Sequence, residues 1–216
     1  MTDFAATRAS FFLPEGVIYL DGNSLGPLPR AAADRVHDTV TEEWGKLLIR
    51  GWNAGAGGTG WMPQPDRLGD RIGRLIGAPA GSVAVGDTLS IKVFQCLAAA
   101  LALRPDRSVI LSDTGNFPSD LYMADGLTRL MQGKTVRTVA PEDVTAALDE
   151  TIAVLMLTEV DYRTGRMHDM AQLTAAAQAK GIVVVWDLAH SAGALPVDLQ
   201  GCGPEFAAGC TYKYLN

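Results

Sequence analysis

The sequence has few cysteines, no excess of basic charge and no long apolar run. Its 216 residues include only three cysteines, Cys96, Cys202 and Cys210, with neither disulfide-framework nor metal-ligand spacing, so we expect a reduced, cytoplasmic protein without a metal. Eighteen Lys and Arg against 24 Asp and Glu argue against a nucleic-acid partner. No apolar run approaches the roughly 20 residues of a membrane-spanning helix, and the N-terminus lacks signal-peptide character.

Apolar residues are plentiful and sit in short, regularly spaced segments. Hydrophobic residues make up 48% of the chain and charged residues 19%, enough to fill a sizeable core and to exclude disorder. The one strongly Gly-rich stretch, Gly51–Gly60, lacks the preceding strand and the spacing of a dinucleotide-binding loop. We expect it to be a flexible connection or a substrate-facing loop.

Apolar periodicity predicts short strands alternating with helices. Helical spacing predicts two amphipathic helices, Pro29–Arg50 and Pro63–Ile76. The β-branched runs that follow predict strands at Val83–Val85, Val109–Leu111, Thr135–Val139, Ile152–Leu157 and Ile182–Trp186. The helical patterns between them are Ser90–Leu103, Ser119–Met131, Glu142–Leu148 and Met170–Lys180. Apolar strands separated by helices are typical of a parallel sheet covered on both faces, with its chemistry at the carboxyl ends of the strands.

Two segments in the last third of the chain carry candidate catalytic groups. Strand Ile182–Trp186 leads into Asp187, and His190 follows one turn later, although a helix cap and a packed histidine would produce the same pattern. Lys213 follows Tyr212 after an apolar approach, which makes it a candidate for a desolvated amine that forms Schiff bases. A carboxylate for a pyridinium nitrogen and a lysine downstream are what pyridoxal 5'-phosphate requires.

Two predicted helix starts could complete such a site. Gly86–Ser90 opens a helix, whose free N–H groups and dipole could bind a phosphate, although an ordinary N-cap is the alternative. Asn116–Asp120 opens another helix after a strand, where Phe117 could stack on a flat ring or simply cover the core.

Five ordered motifs carry a family resemblance, and they are Tyr19–Gly26, Asn116–Met123, Thr158–Gly165, Trp186–His190 and Tyr212–Asn216. Together they resemble the kynureninase family, pyridoxal-phosphate hydrolases of the fold-type I superfamily. The Asp-x-Ala-His element of the fourth motif is shared with cysteine desulfurases, whereas the second and fifth motifs separate the two families. Relatives often have His and Asn in the third motif, where this chain has Glu159 and Asp161.

The resemblance implies a fold and a domain division. The fold is the three-layer α-β-α, mainly parallel α/β large domain of the PLP-dependent transferases, incomplete at the C-terminus. Residues 1–50 would form an N-terminal segment and helix, and residues 51–216 a partial cofactor-binding domain. The C-terminal strand and the small domain would be absent, so the chain would be the N-terminal part of the enzyme.

The resemblance also assigns roles to individual residues. Lys213 would bind the cofactor and act as base, Asp187 would pair with the pyridine nitrogen, and Tyr212 would contact the phosphate and relay a proton. Phe117 would stack on the ring, and Asn23 with Ser24 would face substrate. The remaining cofactor-binding positions are Leu89, Ser90, Pro118, Ser119, Asp120, Thr158 and His190.

The implied reaction is hydrolysis of the Cβ–Cγ bond of L-kynurenine, or of its 3-hydroxy form, to anthranilate or 3-hydroxyanthranilate and L-alanine. It belongs to tryptophan catabolism and NAD biosynthesis, and the implied enzyme is a homodimer. One alternative is a cysteine desulfurase or selenocysteine lyase, which would need a reactive cysteine on a mobile loop. The positions of the three cysteines do not favour it. Another alternative is a non-catalytic fragment that binds pyridoxal phosphate.

Overall fold

The computed structural model describes residues 3–53 and 60–216, which form two compact units. Of the described residues, one unit comprises 3–53, 60–74, 79–85 and 212–216, and the other comprises 75–78 and 86–211. The loop expected at Gly51–Gly60 lies mostly outside the described residues. The division of the chain at residues 50 and 51 stays a prediction.

The smaller unit is mainly helical. Its elements are helix α1 (Phe4–Ala9), strands β1 (Phe11–Phe12) and β2 (Leu28–Pro29), helix α2 (Arg30–Asp38) and helix α3 (Gln64–Leu75). Helix α2 continues as a π-helix over Thr39–Leu47 and a 3-10 helix over Leu48–Trp52, so the long helix predicted at Pro29–Arg50 is a helical stretch of three types. Buried Glu43 in the π-helix accepts from Trp61 Nε1 at 2.7 Å and pairs with Arg35 at 2.8 Å.

The strand predicted at Val83–Val85 does not form. Its residues have no strand partner in the described part of the chain, and the carbonyl of Val83 instead packs against Gly69 of α3. A strand needs a neighbour for its backbone hydrogen bonds, and the apolar run at Val83–Val85 could not predict whether one is present. The helix predicted at Glu142–Leu148 is reduced to a 3-10 turn over Pro141–Asp143 followed by further turns.

The larger unit is built on a five-stranded parallel sheet. Its strands are β3 (Val109–Asp113), β4 (Thr135–Val139), β5 (Ile152–Thr158), β6 (Val183–Asp187) and β7 (Phe206–Ala208), and its helices are α4 (Leu89–Leu103), α5 (Pro118–Leu130), α6 (Met170–Gln178) and α7 (Leu199–Cys202). The strand order is β4-β3-β5-β6-β7, and every neighbouring pair is parallel. Every residue of β5 and β6 is buried, which explains their uninterrupted apolar sequences.

Helices cover both faces of this sheet. Val183 and Val185 of β6 pack into the core that α4 and α5 cover. Side chains alternate along a strand, so Trp186 lies on the opposite face, where its Nε1 donates to Thr174 of α6 at 3.0 Å. The predicted three-layer, mainly parallel α/β fold is confirmed. Within the described ranges, no helix is long and apolar enough to cross a membrane.

Candidate functional site

The strand order creates a switch point in the larger unit. The chain passes from β3 to β4 on one side and then places β5 on the other side of β3. In such sheets ligands bind outside the carboxyl ends of the strands, where the order reverses. Strands β3 and β5 end there at Asp113 and Thr158, and β6 ends next to them at Asp187.

Asp187 is a buried carboxylate held by hydrogen bonds. Its side chain is 2% exposed. Its Oδ1 accepts from the amide of Ala189 at 2.8 Å, and its Oδ2 lies 3.2 Å from the hydroxyl of Thr158. Hydrogen bonds to the charged form offset the cost of burying a carboxylate. Such a group at a sheet edge is suited to holding a protonated ring nitrogen.

Three aromatic rings meet at the same edge. The ring of Phe117 lies 5.0 Å from that of Tyr162 and 6.0 Å from that of His190, measured between centroids. Tyr162 and His190 stack at 5.9 Å. Sequence reasoning singled out Phe117 and His190 but gave Tyr162 no role, although Tyr162 belongs to the motif Thr158–Gly165.

Two helix starts lie at this edge. Helix α5 begins where β3 ends, and α4, which leads into the amino end of β3, begins at the opposite, carboxyl edge of the sheet. Leu89 and Ser90 are the first residues of α4, whose N-cap Thr88 makes no side-chain cap hydrogen bond and whose first turn holds no acidic residue. Such a helix start attracts an anion through its N–H groups and its dipole. In α5, Pro118, Ser119 and Asp120 form the first turn, and Asp120 is fully buried.

A charged network surrounds the loop between β3 and α5. Arg163 Nη2 lies 3.5 Å from the carbonyl of Gly115 and 3.4 Å from Asp161 Oδ2. Burial acts to raise the pKa of Asp161, but hydrogen bonds from Arg163 and from the amide of Thr164 outweigh it and lower the pKa. Glu159, which is 6% exposed, shows the reverse balance, because burial raises its pKa against an opposing hydrogen bond with Ser191.

In the smaller unit, the segment with Lys213 packs against the first motif. Lys213 is 6% exposed, and its Nζ lies 5.9 Å from the centroid of the Tyr212 ring. The carbonyl of Tyr212 accepts from the amide of Gly26 at 2.7 Å. Two residues before Gly26, Ser24 donates to Asp21 at 2.8 Å, and Asn23 lies in the same turn. Asn23 and Ser24 therefore belong to a loop that is hydrogen-bonded to the lysine segment.

The residues of the larger unit fit pyridoxal phosphate. The supported carboxylate of Asp187 suits a cationic ring nitrogen, Phe117 suits a flat ring, and the uncapped start of α4 suits a phosphate. The structure thus brings Phe117, Thr158, Asp187 and His190 to one sheet edge. In the smaller unit it places Tyr212 beside the loop of Asn23 and Ser24.

Comparison with known proteins gives relatives with the same sequence pattern. The family model described as aminotransferase class-V matches residues 86–215. Kynureninases from Pseudomonas fluorescens and Deinococcus radiodurans are 53% and 54% identical to the chain over 98% of its length, which is 51% and 52% of their own lengths. The chain therefore spans about half the length of the curated relatives it matches.

Solved structures share the fold. The cysteine desulfurase CsdA from Escherichia coli aligns over 99% of this chain and 55% of its own, with a TM-score of 0.80 and 20% identity. The apo cysteine desulfurase from Thermococcus onnurineus NA1 aligns over 99% of this chain and 54% of its own, with a TM-score of 0.75 and 18% identity. At these identities the likeness establishes the fold alone.

Proposed function

The chain belongs to the class-V aminotransferase family, which is pyridoxal-phosphate-dependent, and on that premise we propose that it carries the cofactor-binding machinery of a kynureninase. The reaction would be hydrolysis of L-kynurenine, or of its 3-hydroxy form, to the corresponding anthranilate and L-alanine. More than half of the aligned residues are identical to those of kynureninases, which supports this choice within the family.

One observation carries the proposal. Asp187 is buried at the switch point of a parallel sheet and is held there by the amide of Ala189 and the hydroxyl of Thr158. A buried carboxylate held in this way can keep a ring nitrogen protonated. When bound, pyridoxal phosphate supplies an electron sink for bonds broken next to the substrate amine.

Each residue of the site has a task in this proposal. Lys213 would hold the cofactor through its carbonyl carbon, and its amine, once displaced by the substrate amine, would be free to accept the substrate α-proton as general base. Asp187 would hold the proton on the ring nitrogen, and Phe117 would stack on the ring. The backbone amides at Leu89 and Ser90 would hold the phosphate. Supporting contacts come from Pro118, Ser119, Asp120, Thr158, His190 and Tyr212, and substrate contacts from Asn23 and Ser24.

Tyr212 is the proposed proton relay, since it adjoins the lysine in sequence and its phenol can both donate and accept. We extend the proposal to a homodimeric assembly, a cytoplasmic location and a role in tryptophan catabolism and NAD biosynthesis, as the resemblance implies. The domain boundary at residues 50 and 51 is proposed on the same ground.

The direct test is covalent trapping of the cofactor. We expect the chain, incubated with pyridoxal phosphate and reduced with borohydride, to carry the label on the peptide that contains Lys213. Before reduction, the bound cofactor should give a visible absorption band. Lys213→Ala should abolish both this band and the label, whereas Lys46→Ala, at an exposed lysine, should change neither. Labelling of another lysine, or none, would refute the assignment. Anthranilate fluorescence from added kynurenine then tests the reaction.

The cysteine desulfurase alternative requires an activated thiol. Burial raises the pKa of the Cys96 thiol, and burial together with the charges of Asp198, Glu159 and Asp169 raises that of Cys202. Reactive cysteines have lowered pKa values, so these two residues are poor candidates. Release of sulfide from cysteine by the loaded protein would overturn this choice.

A further inference from the structure

Asn116 bridges the two strands that flank the switch point. It follows β3, is 5% exposed, and contacts residues at the end of β5. Its Oδ1 accepts from the hydroxyl of Thr158 at 2.5 Å and from the amide of Phe117 at 2.6 Å. Its Nδ2 donates to the hydroxyl oxygen of Ser112 at 2.9 Å. One side-chain amide therefore joins the ring-stacking residue to the end of the neighbouring strand.

The partners fix the orientation of this amide. The backbone N–H of Phe117 can only donate, so the atom 2.6 Å from it must be the oxygen. On the other side, Ser112 donates its hydroxyl proton to the carbonyl of Met156 at 2.7 Å, which leaves the Ser112 oxygen as an acceptor for Nδ2. Reversing the amide would place its NH2 group against the N–H of Phe117 and its oxygen against the oxygen of Ser112, so that donor would face donor and acceptor would face acceptor.

Thr158 then has one hydroxyl proton and two acceptors. Asn116 Oδ1 lies 2.5 Å from the hydroxyl oxygen, and Asp187 Oδ2 lies 3.2 Å from it. The shorter contact takes the larger share of the hydrogen bond, because hydrogen bonds weaken with distance. Asn116 thereby sets the rotation of the Thr158 hydroxyl, whose proton lies between the acceptor oxygens of Asn116 and Asp187.

We propose that Asn116 is a positioning residue of the cofactor site, acting through one oxygen on both Phe117 and Thr158. This inference rests on the proposed function, since Phe117 and Asp187 are there assigned to the cofactor ring. Asn116 holds the backbone that carries the stacking ring, and it orients the hydroxyl beside the carboxylate that faces the ring nitrogen. It touches neither cofactor nor substrate in this role.

Four variants separate this role from general packing. Asn116→Leu keeps the shape of the side chain but removes both hydrogen-bonding functions, whereas Asn116→Asp keeps an acceptor oxygen toward Phe117 and Thr158. Ser112→Ala is the matched control, because it removes the nearer of the two acceptors of Nδ2 and leaves the Oδ1 contacts in place. Thr158→Val removes the hydroxyl from the opposite side and keeps the test available should Asn116→Leu fail to fold.

The first measurement needs no cofactor. Amide hydrogen exchange at Phe117 should be about tenfold faster in Asn116→Leu, the effect of losing one hydrogen bond, and close to wild type in Asn116→Asp and Ser112→Ala. The second measurement is a titration with pyridoxal phosphate that follows the visible band. Asn116→Leu and Thr158→Val should each weaken cofactor binding about tenfold and shift the absorption band. The double variant should lose less binding free energy than the two single variants lose in sum.

Rescue by the conservative variant decides the outcome. Partial recovery of cofactor affinity in Asn116→Asp supports the positioning role. An unchanged dissociation constant in Asn116→Leu, or an equal loss in Ser112→Ala, would overturn it. Failure of the wild-type protein to bind pyridoxal phosphate would sink the proposed function instead, and the exchange rate of Phe117 would still decide whether Asn116 holds that backbone.

Discussion

His168 Nε2 lies 2.6 Å from Oδ2 of Asp113, and both side chains are buried. Arg166 Nη2 reaches the same oxygen at 3.3 Å, and Asp113 Oδ1 accepts from the amide of Gly115 at 2.7 Å. Asp113 therefore ties the loop that precedes Asn116 to the segment that follows β5. This carboxylate contacts both sides of the switch point, in addition to the bridge that Asn116 makes.

Replacing this carboxylate should destabilise the protein. Asp113→Asn leaves Arg166 and the imidazole of His168 without their charged acceptor, and losing hydrogen bonds to a charged group costs about 1.5–3 kcal/mol in the free energy of unfolding. Urea unfolding measures the loss. Asp125→Asn is the control, because the exposed pair of Asp125 with Arg129, 2.7 Å apart, should contribute below about 1 kcal/mol. Equal effects of the two substitutions would contradict the prediction.

The sequence predicts the strands of the sheet well because their signal is local. Strand β4 has the predicted bounds of Thr135–Val139, β5 extends one residue beyond its predicted end, and β6 is shifted by one residue at both ends. The strand predicted at Val83–Val85 does not form, since a local apolar run does not reveal whether a neighbouring strand is available.

The groups that support the site could not be predicted in the same way. Asp187 was singled out because a carboxylate directly follows an apolar strand. Asn116 and Thr158 are 42 residues apart, and Asp113 and His168 are 55 residues apart, so their contacts depend on the strand order. Apolar spacing does not specify hydrogen-bond register. The prediction at Pro29–Arg50 therefore does not distinguish the α-helix from the π-helix and the 3-10 helix that follow it.

Glu159 should make stability depend on pH. Burial raises the pKa of its carboxyl above the usual 4.5, against an opposing hydrogen bond with Ser191, so the folded protein binds its proton at a higher pH than the unfolded chain does. Stability from this group is fully present below pH 4.5 and is lost as the pH rises through the folded-state value. Glu159→Gln, which stays neutral, should therefore become increasingly stabilising relative to wild type as the pH rises above 4.5.

Urea midpoints measured at a series of pH values from below 4.5 to neutrality test this expectation. Glu150→Gln is the matched control, since it makes the same chemical change at an exposed glutamate. A Glu159→Gln difference that is flat or falls with rising pH would rule out a buried carboxyl that favours its neutral form.

Asp149 should have the opposite dependence. Hydrogen bonds from Thr151 and Arg137 lower its pKa from 3.8 to about 2. The stability it contributes is present above pH 3.8 and is lost as the pH falls toward about 2. Asp149→Asn should therefore reduce stability at neutral pH and flatten the acid side of the stability profile. Asp106→Asn makes the same chemical change at an exposed carboxylate and is the matched control.

Two helical glycines should respond in opposite directions to the same substitution. Gly126 lies in α5, and a Cβ built there meets nothing within 4 Å, so Gly126→Ala should stabilise by up to about 1 kcal/mol through helix propensity. Gly69 lies in α3, where a Cβ would overlap the carbonyl of Val83. Gly69→Ala has the same propensity gain, but the backbone of Val83 must move.

We expect Gly69→Ala to lower the free energy of unfolding by about 1–3 kcal/mol, the usual cost of overpacking. Thermal unfolding of both variants beside wild type measures the contrast, and the opposite signs separate steric crowding from helix propensity. A stabilising Gly69→Ala would mean that the segment Val83–Val85 is loosely held and yields without cost. The close approach of Val83 to α3 would then not be what makes glycine necessary at position 69.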